Sequence, residues 1–350
     1  MDNRKKTLVG TIAAALMAGS ISMGPVIGVN VVYEKYFNKR ITTYDPLYYS
    51  IEDFPDLRRQ RHVFKTDRNR NLVGCMYYYP NVIQKGLIVL SHGYGGGGQR
   101  TYMDCTNYLA KHGFYVFAYD ATGNDESEGT GIGGFPQGII DINHAIEYVE
   151  SLDMFNKLPL FLFGHSWGGY SSANALYYHP EVKAIVSIAG FNNSIEMIKH
   201  HGYQYGGASA ENMIPFVSNK EQQMFGRYAD STAMKAFANS TSGVFIIQSY
   251  DDPVVLYESG YKIYYETYKN DPRFKFILYE NRGHNTVYFD ESSIKYTKAL
   301  NNKWDAFCKN NPTEEEKEEF LKQNINREIW NDRLDEDLFS QIIEFYSKYI

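Results

Sequence analysis

Residues 162–169 read LFGHSWGG, and Ser166 stands between Gly164 and Gly168 at Gly-x-Ser-x-Gly spacing. Glycines at those places let the backbone make a tight strand-to-helix turn that lifts a serine oxygen clear of its neighbours, as attack on a carbonyl requires. Taken alone the pattern decides little, because ordinary glycine and serine usage produces it by chance in roughly one chain of this length in ten. The chemistry asks for more. A serine hydroxyl is a poor nucleophile at neutral pH and needs a base within hydrogen-bond reach. The base needs an acid to hold its tautomer, and the developing oxyanion needs N–H donors.

Of the nine histidines, His284 in ENRGHNTV follows the last strand-like run, just after Gly283, and is the candidate base. His92 and His165 are tied to the two glycine turns, while His200 and His201 fall in a strand-free segment, where substrate contact and surface exposure are both open. The acid must lie between serine and base in chain order and end a strand, as SYDDPVV does. Asp252, directly before Pro253, is the candidate; Asp251 reads as a loop carboxylate in water. His92-Gly93, ending a strand and followed by more glycine, leaves the backbone N–H of Tyr94 free for an oxyanion, and Trp167 supplies a second N–H.

The same glycines support a rival. Gly93, Gly95 and Gly98 match Gly-x-Gly-x-x-Gly between a strand and a helix, and Asp120 ends the next strand where a dinucleotide fold keeps its ribose-binding acid. An NAD-dependent enzyme would then hold pyrophosphate at the helix start. That reading has no use for an elbow serine, an acid and a histidine in that order, and all three are present. Otherwise Asp120 is expected to fix the loop ATGNDESEG, which lacks the glycine of a calcium loop. A third reading is a membrane-tethered binding protein on an idle scaffold.

The elements that must position these residues are legible as apolar runs: LVGCMYYY near residue 75, GLIVLSHG, FYVFAYD, LPLFLFGHS, KAIVSIAG, GVFIIQSYD and FKFILYE. Most are separated by stretches of helical period, such as Asp141–Leu152 with Ile142, Ala145, Ile146 and Val149 on one face. Strands buried on both faces and alternating with helices imply an α/β fold with a mostly parallel sheet. Residues Phe191 to Ser242 carry no strand signal and read as a lid, in which Met197, Tyr203, Tyr205, Met213 and Phe216 either line an acyl pocket or form the lid's own core. Further on, helices are expected from Ser292 to about Lys309, after Asn311 as cap with Pro312 at the first position, and from Leu338 to Tyr349 packing on the body.

With 350 residues and 43% hydrophobic content the chain can bury a substantial core, and a net charge of −6 with both signs interspersed argues against a nucleic-acid partner. The 31 tyrosines fit half-buried strands and a ring-lined groove, or plain compositional bias. Cys75, Cys105 and Cys308 are widely spaced and read as buried small apolar residues, neither zinc ligands nor a disulfide framework. From Thr7 to Tyr33 the sequence has no charge, enough to cross about 30 Å of hydrocarbon. The expectation is a single-pass anchor in residues 1–35 with the catalytic body outside; a cleaved, secreted form is the alternative, since Ala18 and Ser20 offer a peptidase site.

HGYGGGG, YDATGNDESEG, GHSWGG, DDPVV and RGHN, in this order, resemble the α/β-hydrolase superfamily, and within it the serine aminopeptidase-like and monoacylglycerol lipase-like branch, over roughly residues 60 to 308. Residues 36–61, mixed, basic and aromatic, read as a linker, residues 62–310 as the hydrolase domain with the lid at 191–242, which has no motif matching either branch, and residues 311–350 as a C-terminal helical extension. The resemblance implies Ser166 as nucleophile, Asp252 and His284 as acid and base, and Tyr94 and Trp167 as the oxyanion donors. The implied activity is hydrolysis of an ester, lipid or short peptide, with neither metal nor organic cofactor. Ser249 departs from the branch, standing where a glycine is common three residues before the acid.

Overall fold

The computed structural model describes residues 24–155 and 157–350, together with 11, 12, 14–16, 18 and 19. Side chains 204–206 and 209 lie outside that description, and with them Tyr205. Strands β1 (Arg58–Lys65), β2 (Asn71–Tyr78), β3 (Gly86–Ser91), β4 (Phe114–Asp120), β5 (Leu160–His165), β6 (Ala184–Ile188), β7 (Gly243–Ser249) and β8 (Phe274–Tyr279) form an eight-stranded sheet in the order β1-β2-β4-β3-β5-β6-β7-β8. The pairs β1–β2 and β2–β4 are antiparallel and the remainder parallel. Strands β3, β5, β6 and β7 are buried at every residue, so their side chains are mostly apolar on both faces and no alternation marks them.

The helices are α1 (Pro25–Tyr36), α2 (Met103–Lys111), α3 (Gln137–Glu150), α4 (Trp167–Ala175), α5 (Ser194–Gly206), α6 (Ile214–Phe225), α7 (Ala233–Ala238) and α8 (Tyr261–Tyr268). They are followed by α9 (Glu291–Cys308), α10 (Glu314–Asn324), α11 (Arg327–Asn331) and α12 (Glu336–Ser347). One apolar cluster joins the sheet to α3, α4, α7 and α8, and a second joins the opposite face to α2 and α12. Leu338, Phe339, Ile342, Phe345 and Tyr346 of α12 are buried, and the Tyr346 hydroxyl donates to the Leu162 carbonyl at 2.6 Å, so the last helix is part of the core. The segment 191–242 holds α5, α6 and α7 and no strand among its described residues. The α10 cap is Thr313 and not Asn311, because Thr313 and Glu316 make a reciprocal capping box that Asn311 and Pro312 cannot.

One expectation fails in the first sixty-five residues. Much of the expected linker is structure: β1 begins at Arg58, and Phe37, Tyr49, Phe54 and Leu57 are buried. RRQRHVFK gives no hydropathy signal because an edge strand pairs on one side only and shows most of its residues to water. The expected membrane helix over Thr7–Tyr33 lies partly outside the described residues, and among those described no helix is long and apolar enough to cross a membrane. Its second half is α1, which buries Gly28, Val29, Val32 and Tyr33 and packs against α6. Ile12 and Leu16 are buried in the same apolar cluster. In α1 the uncharged run divides, with Val29, Val32 and Tyr33 buried and Val26, Ile27 and Val31 exposed.

Candidate active site

His92, Ser166, Asp252 and His284 all follow the carboxyl ends of strands, β3, β5, β7 and β8, the edge at which open α/β sheets bind ligands. At the end of β5 the chain turns into α4 through Ser166, whose φ is 58° and ψ −119°. A non-glycine residue at positive φ is strained and must be held by its surroundings. The Ser166 N–H is held by the Ile188 carbonyl at 2.8 Å, and the turn is so tight that a Cβ on Gly164 would lie 2.1 Å from the Gly168 carbonyl oxygen. A Cβ on Gly168 would lie 1.9 Å from the Ser91 carbonyl oxygen. Both glycines are therefore demanded by backbone contact.

The hydroxyl of Ser166 meets His284 Nε2 at 2.8 Å, and His284 Nδ1 meets Asp252 Oδ2 at 2.7 Å. The second Asp252 oxygen accepts the N–H groups of Val254 and Val255 at 2.8 and 2.9 Å, which aims the carboxylate at the imidazole. Ser166 and His284 are each 8% exposed and Asp252 3%. The three residues singled out in sequence are thus brought into one hydrogen-bonded line. Neither the Tyr94 nor the Trp167 N–H meets a protein acceptor among the described residues. Trp167 is anchored by its indole N–H, which donates to the Phe135 carbonyl at 2.8 Å.

The supports of the site extend beyond the residues singled out for its chemistry, and Tyr102 is one that the sequence did not mark. The Gly93 N–H donates to the Tyr102 hydroxyl at 3.1 Å, and that hydroxyl lies 2.9 Å from His165 Nδ1. Burial, with help from the nearby His284, pushes His165 down to about 3, so it is neutral at physiological pH. His92 Nδ1–H donates to the Gly93 carbonyl while Nε2 accepts the Ala121 N–H, which joins the β3 turn to the β4 turn. Asp251 is not merely solvated: it accepts the Gly283 N–H at 2.8 Å and the Ser249 hydroxyl at 2.6 Å. Ser249 also accepts the Arg282 N–H at 2.8 Å, so the serine that departs from the family pattern ties the acid loop to the base loop.

The strand-free segment borders the acid. His201 lies 2.7 Å from the Val254 carbonyl and His200 2.8 Å from the Ser259 hydroxyl, so α5 is fastened to the chain following Asp252. Met197 and Met213 are buried in the main apolar cluster with Phe216 packed on it, whereas Tyr203 is exposed and donates to Glu211.

The dinucleotide reading fails on the helix start it requires. The Gly98 N–H donates to Asp125 at 2.6 Å and the Gln99 N–H to Asp120 at 2.8 Å, so the protein's own carboxylates occupy the place of a pyrophosphate. Asp120 is buried rather than facing a ribose, and burial raises it to about 7 against the hydrogen bonds from Gln99 and Glu126. For metals, Glu150, His179 and Glu181 are the one group among the described residues with ligand atoms mutually within 4.8 Å, and none of the site residues belongs to it. The cysteines are free thiols, Cys75 and Cys105 buried and Cys308 only half-buried.

Residues 83–215 match the family described as serine aminopeptidase, S33. Human monoglyceride lipase is 35% identical over 98 residues, 27% of this chain and 31% of that protein. Caffeoylshikimate esterase of Arabidopsis thaliana is 31% identical over 99 residues, 28% of this chain and 30% of that protein. The matched stretches span less than half the length of these curated relatives. An esterase of Pyrococcus furiosus superposes with a TM-score of 0.54 at 16% identity, over 82% of this chain and 98% of its own. An acetyl xylan esterase of a Paenibacillus species does so at 0.52 and 16%, over 66% and 80%. At such identities the structural likeness is one of fold.

Proposed function

We propose that this chain, which belongs to the α/β-hydrolase superfamily, is a serine hydrolase that cleaves a carboxylic ester through an acyl-enzyme on Ser166. The single observation that carries the reading is the imidazole of His284 held between the Ser166 hydroxyl at 2.8 Å and the Asp252 carboxylate at 2.7 Å. In this reading His284 Nε2 takes the hydroxyl proton as Oγ bonds to the carbonyl carbon, and the carbonyl electron pair moves onto oxygen. The N–H groups of Tyr94 and Trp167 receive that oxyanion. Collapse expels the alcohol, which leaves with the proton from His284; a water then repeats the sequence against the acyl group, releasing the acid and restoring Ser166. Asp252 keeps the imidazole oriented.

An ester is favoured over an amide because the human and plant relatives are named a lipase and an esterase. The amide is a second reading, favoured by the aminopeptidase description of the matching family. The test is labelling by a fluorophosphonate, expected in the native chain and lost in Ser166→Ala, followed by turnover of p-nitrophenyl acyl esters of graded chain length, a monoacylglycerol and amino-acid anilides. No labelling of the native chain would refute the hydrolase reading. Faster turnover of anilides than of esters would move the substrate to amides.

A further inference from the structure

The segment from Pro25 to Thr43 runs as a strap between the α6 side of the lid and the glycine loop after β3. At one end the Tyr33 hydroxyl donates to Glu221 of α6 at 3.0 Å. At the other the Thr43 N–H donates to Asp125 at 2.8 Å, and the Thr43 hydroxyl accepts the Gly98 N–H at 3.3 Å. Between them Gly133 N–H donates to the Phe37 carbonyl at 2.9 Å, and Ile41 exchanges backbone hydrogen bonds with Gly123 and Asp125, each 3.0 Å. The strap passes so close to the 131–133 turn that a Cβ on Gly131 would lie 2.4 Å from the Phe37 carbonyl oxygen and 2.5 Å from the Lys39 nitrogen.

The middle of the strap lies on Tyr94. The Tyr94 hydroxyl donates to the Tyr36 carbonyl at 2.6 Å, and the fully buried Phe37 ring stacks on the Tyr94 ring with centroids 6.1 Å apart. The Tyr94 ring is further boxed by Phe135 at 6.0 Å and by Trp167 at 5.9 Å. Both N–H groups assigned to the oxyanion thus belong to residues whose side chains touch, and the strap closes the open side of that contact. A glycine-rich loop has little stiffness of its own, so a neighbouring anchor is needed to fix where its N–H points.

We propose that the strap is a working part of the active site: the Tyr36 carbonyl and the Phe37 ring hold the loop that carries the Tyr94 N–H in the geometry an oxyanion needs, which makes Phe37 and the Tyr94 phenol positioning residues. The proposal rests on the hydrolase reading above. It adds that the Tyr94 side chain, idle in the chemistry, sets the rate through its backbone.

The experiment compares Tyr94→Phe, Gly131→Ala and the double variant on p-nitrophenyl butyrate, with active sites counted by fluorophosphonate titration so that misfolded protein drops out. Each single change is expected to lower kcat per titrated site about tenfold, part of what loss of a whole oxyanion donor costs, with KM within about twofold. Because both act by loosening one contact, the double variant is expected to lose no more than either alone. Unchanged kcat per site in both singles, or losses that multiply, would overturn the strap's role. If Gly131→Ala does not fold, Phe37→Leu replaces it with the same expectation. Failure of the native chain to label with fluorophosphonate removes the hydrolase reading itself; labelling with unaltered variants removes only the strap.

Discussion

The ring of His165 lies 3.1 Å through Nε2 from the carbonyl oxygen of His284, so the imidazole preceding the elbow serine supports the backbone of the imidazole that meets that serine. The tautomer follows from the partners. The Tyr102 hydroxyl accepts the Gly93 N–H and gives its own proton to His165 Nδ1, which leaves the Nε2 proton for the carbonyl. A relay of two buried side chains therefore joins the loop carrying one oxyanion donor to the loop carrying the base.

His165→Leu should lower kcat by about ten- to a hundredfold, the range expected when catalytic groups are displaced by about an ångström. His165→Gln, which keeps a side-chain donor, should recover part of the loss. Steady-state kinetics per titrated site decides it, and equal rates for Leu and native chains would mean that the relay positions nothing.

Asp252 and Asp251 are adjacent and both bonded, yet they answer to different parts of the site. Asp252→Asn should cost about 10⁴ in kcat by presenting the wrong group to His284. Asp251→Asn should cost about tenfold or less, because an amide oxygen still accepts from Gly283 and Ser249. A larger loss at Asp251 would reverse the assignment of the acid.

The site was more legible in sequence than its supports. Gly164, Ser166 and Gly168 are constrained by backbone contacts that admit few residue types, so their spacing marked a candidate that the acid and base, in chain order, then singled out. The acid and base could be ordered along the chain because each had to end a strand, and the strands themselves were visible as doubly buried apolar runs. Asp251, Ser249, Tyr102 and His165 act through hydrogen bonds between segments far apart in the chain, which leave no periodicity to read. Strand β1 was hidden by its polar, edge position. Helix α1 is ambiguous in sequence for a different reason: apolar residues leave water equally for lipid or for protein, and hydropathy does not distinguish the two.

Gly168→Ala should destabilise the chain by about 3 kcal/mol or more, since its methyl would meet the Ser91 carbonyl in a sheet that cannot recede. Gly96→Ala is the matched control in the same site: a Cβ there meets nothing within 4 Å, and the change should stay within about 0.5 kcal/mol. Urea unfolding of the two variants measures the difference; comparable losses would show that the elbow is looser than its contacts imply.

Glu221 makes stability depend on pH in a direction opposite to that of most carboxylates. It is fully buried in α6; one oxygen accepts from Ser194 at 2.7 Å and Tyr33 at 3.0 Å, and the other has no partner among the described residues. Burial raises its pKa to about 7, and the two hydrogen bonds only partly oppose this. Between the unfolded value near 4.5 and about 7 the folded chain holds a proton that the unfolded chain has released, so stability falls as pH rises through that window. One pKa unit is worth about 1.4 kcal/mol, which puts the full effect at about 3 kcal/mol. Asp120, raised to about 7 by burial, adds to the same slope. Glu221→Gln keeps an acceptor for Tyr33 and Ser194 without the ionisation, and should flatten the loss of stability between pH 5 and pH 8 measured by urea unfolding. A slope unchanged by the substitution would mean that Glu221 is already ionised in the folded protein across that range.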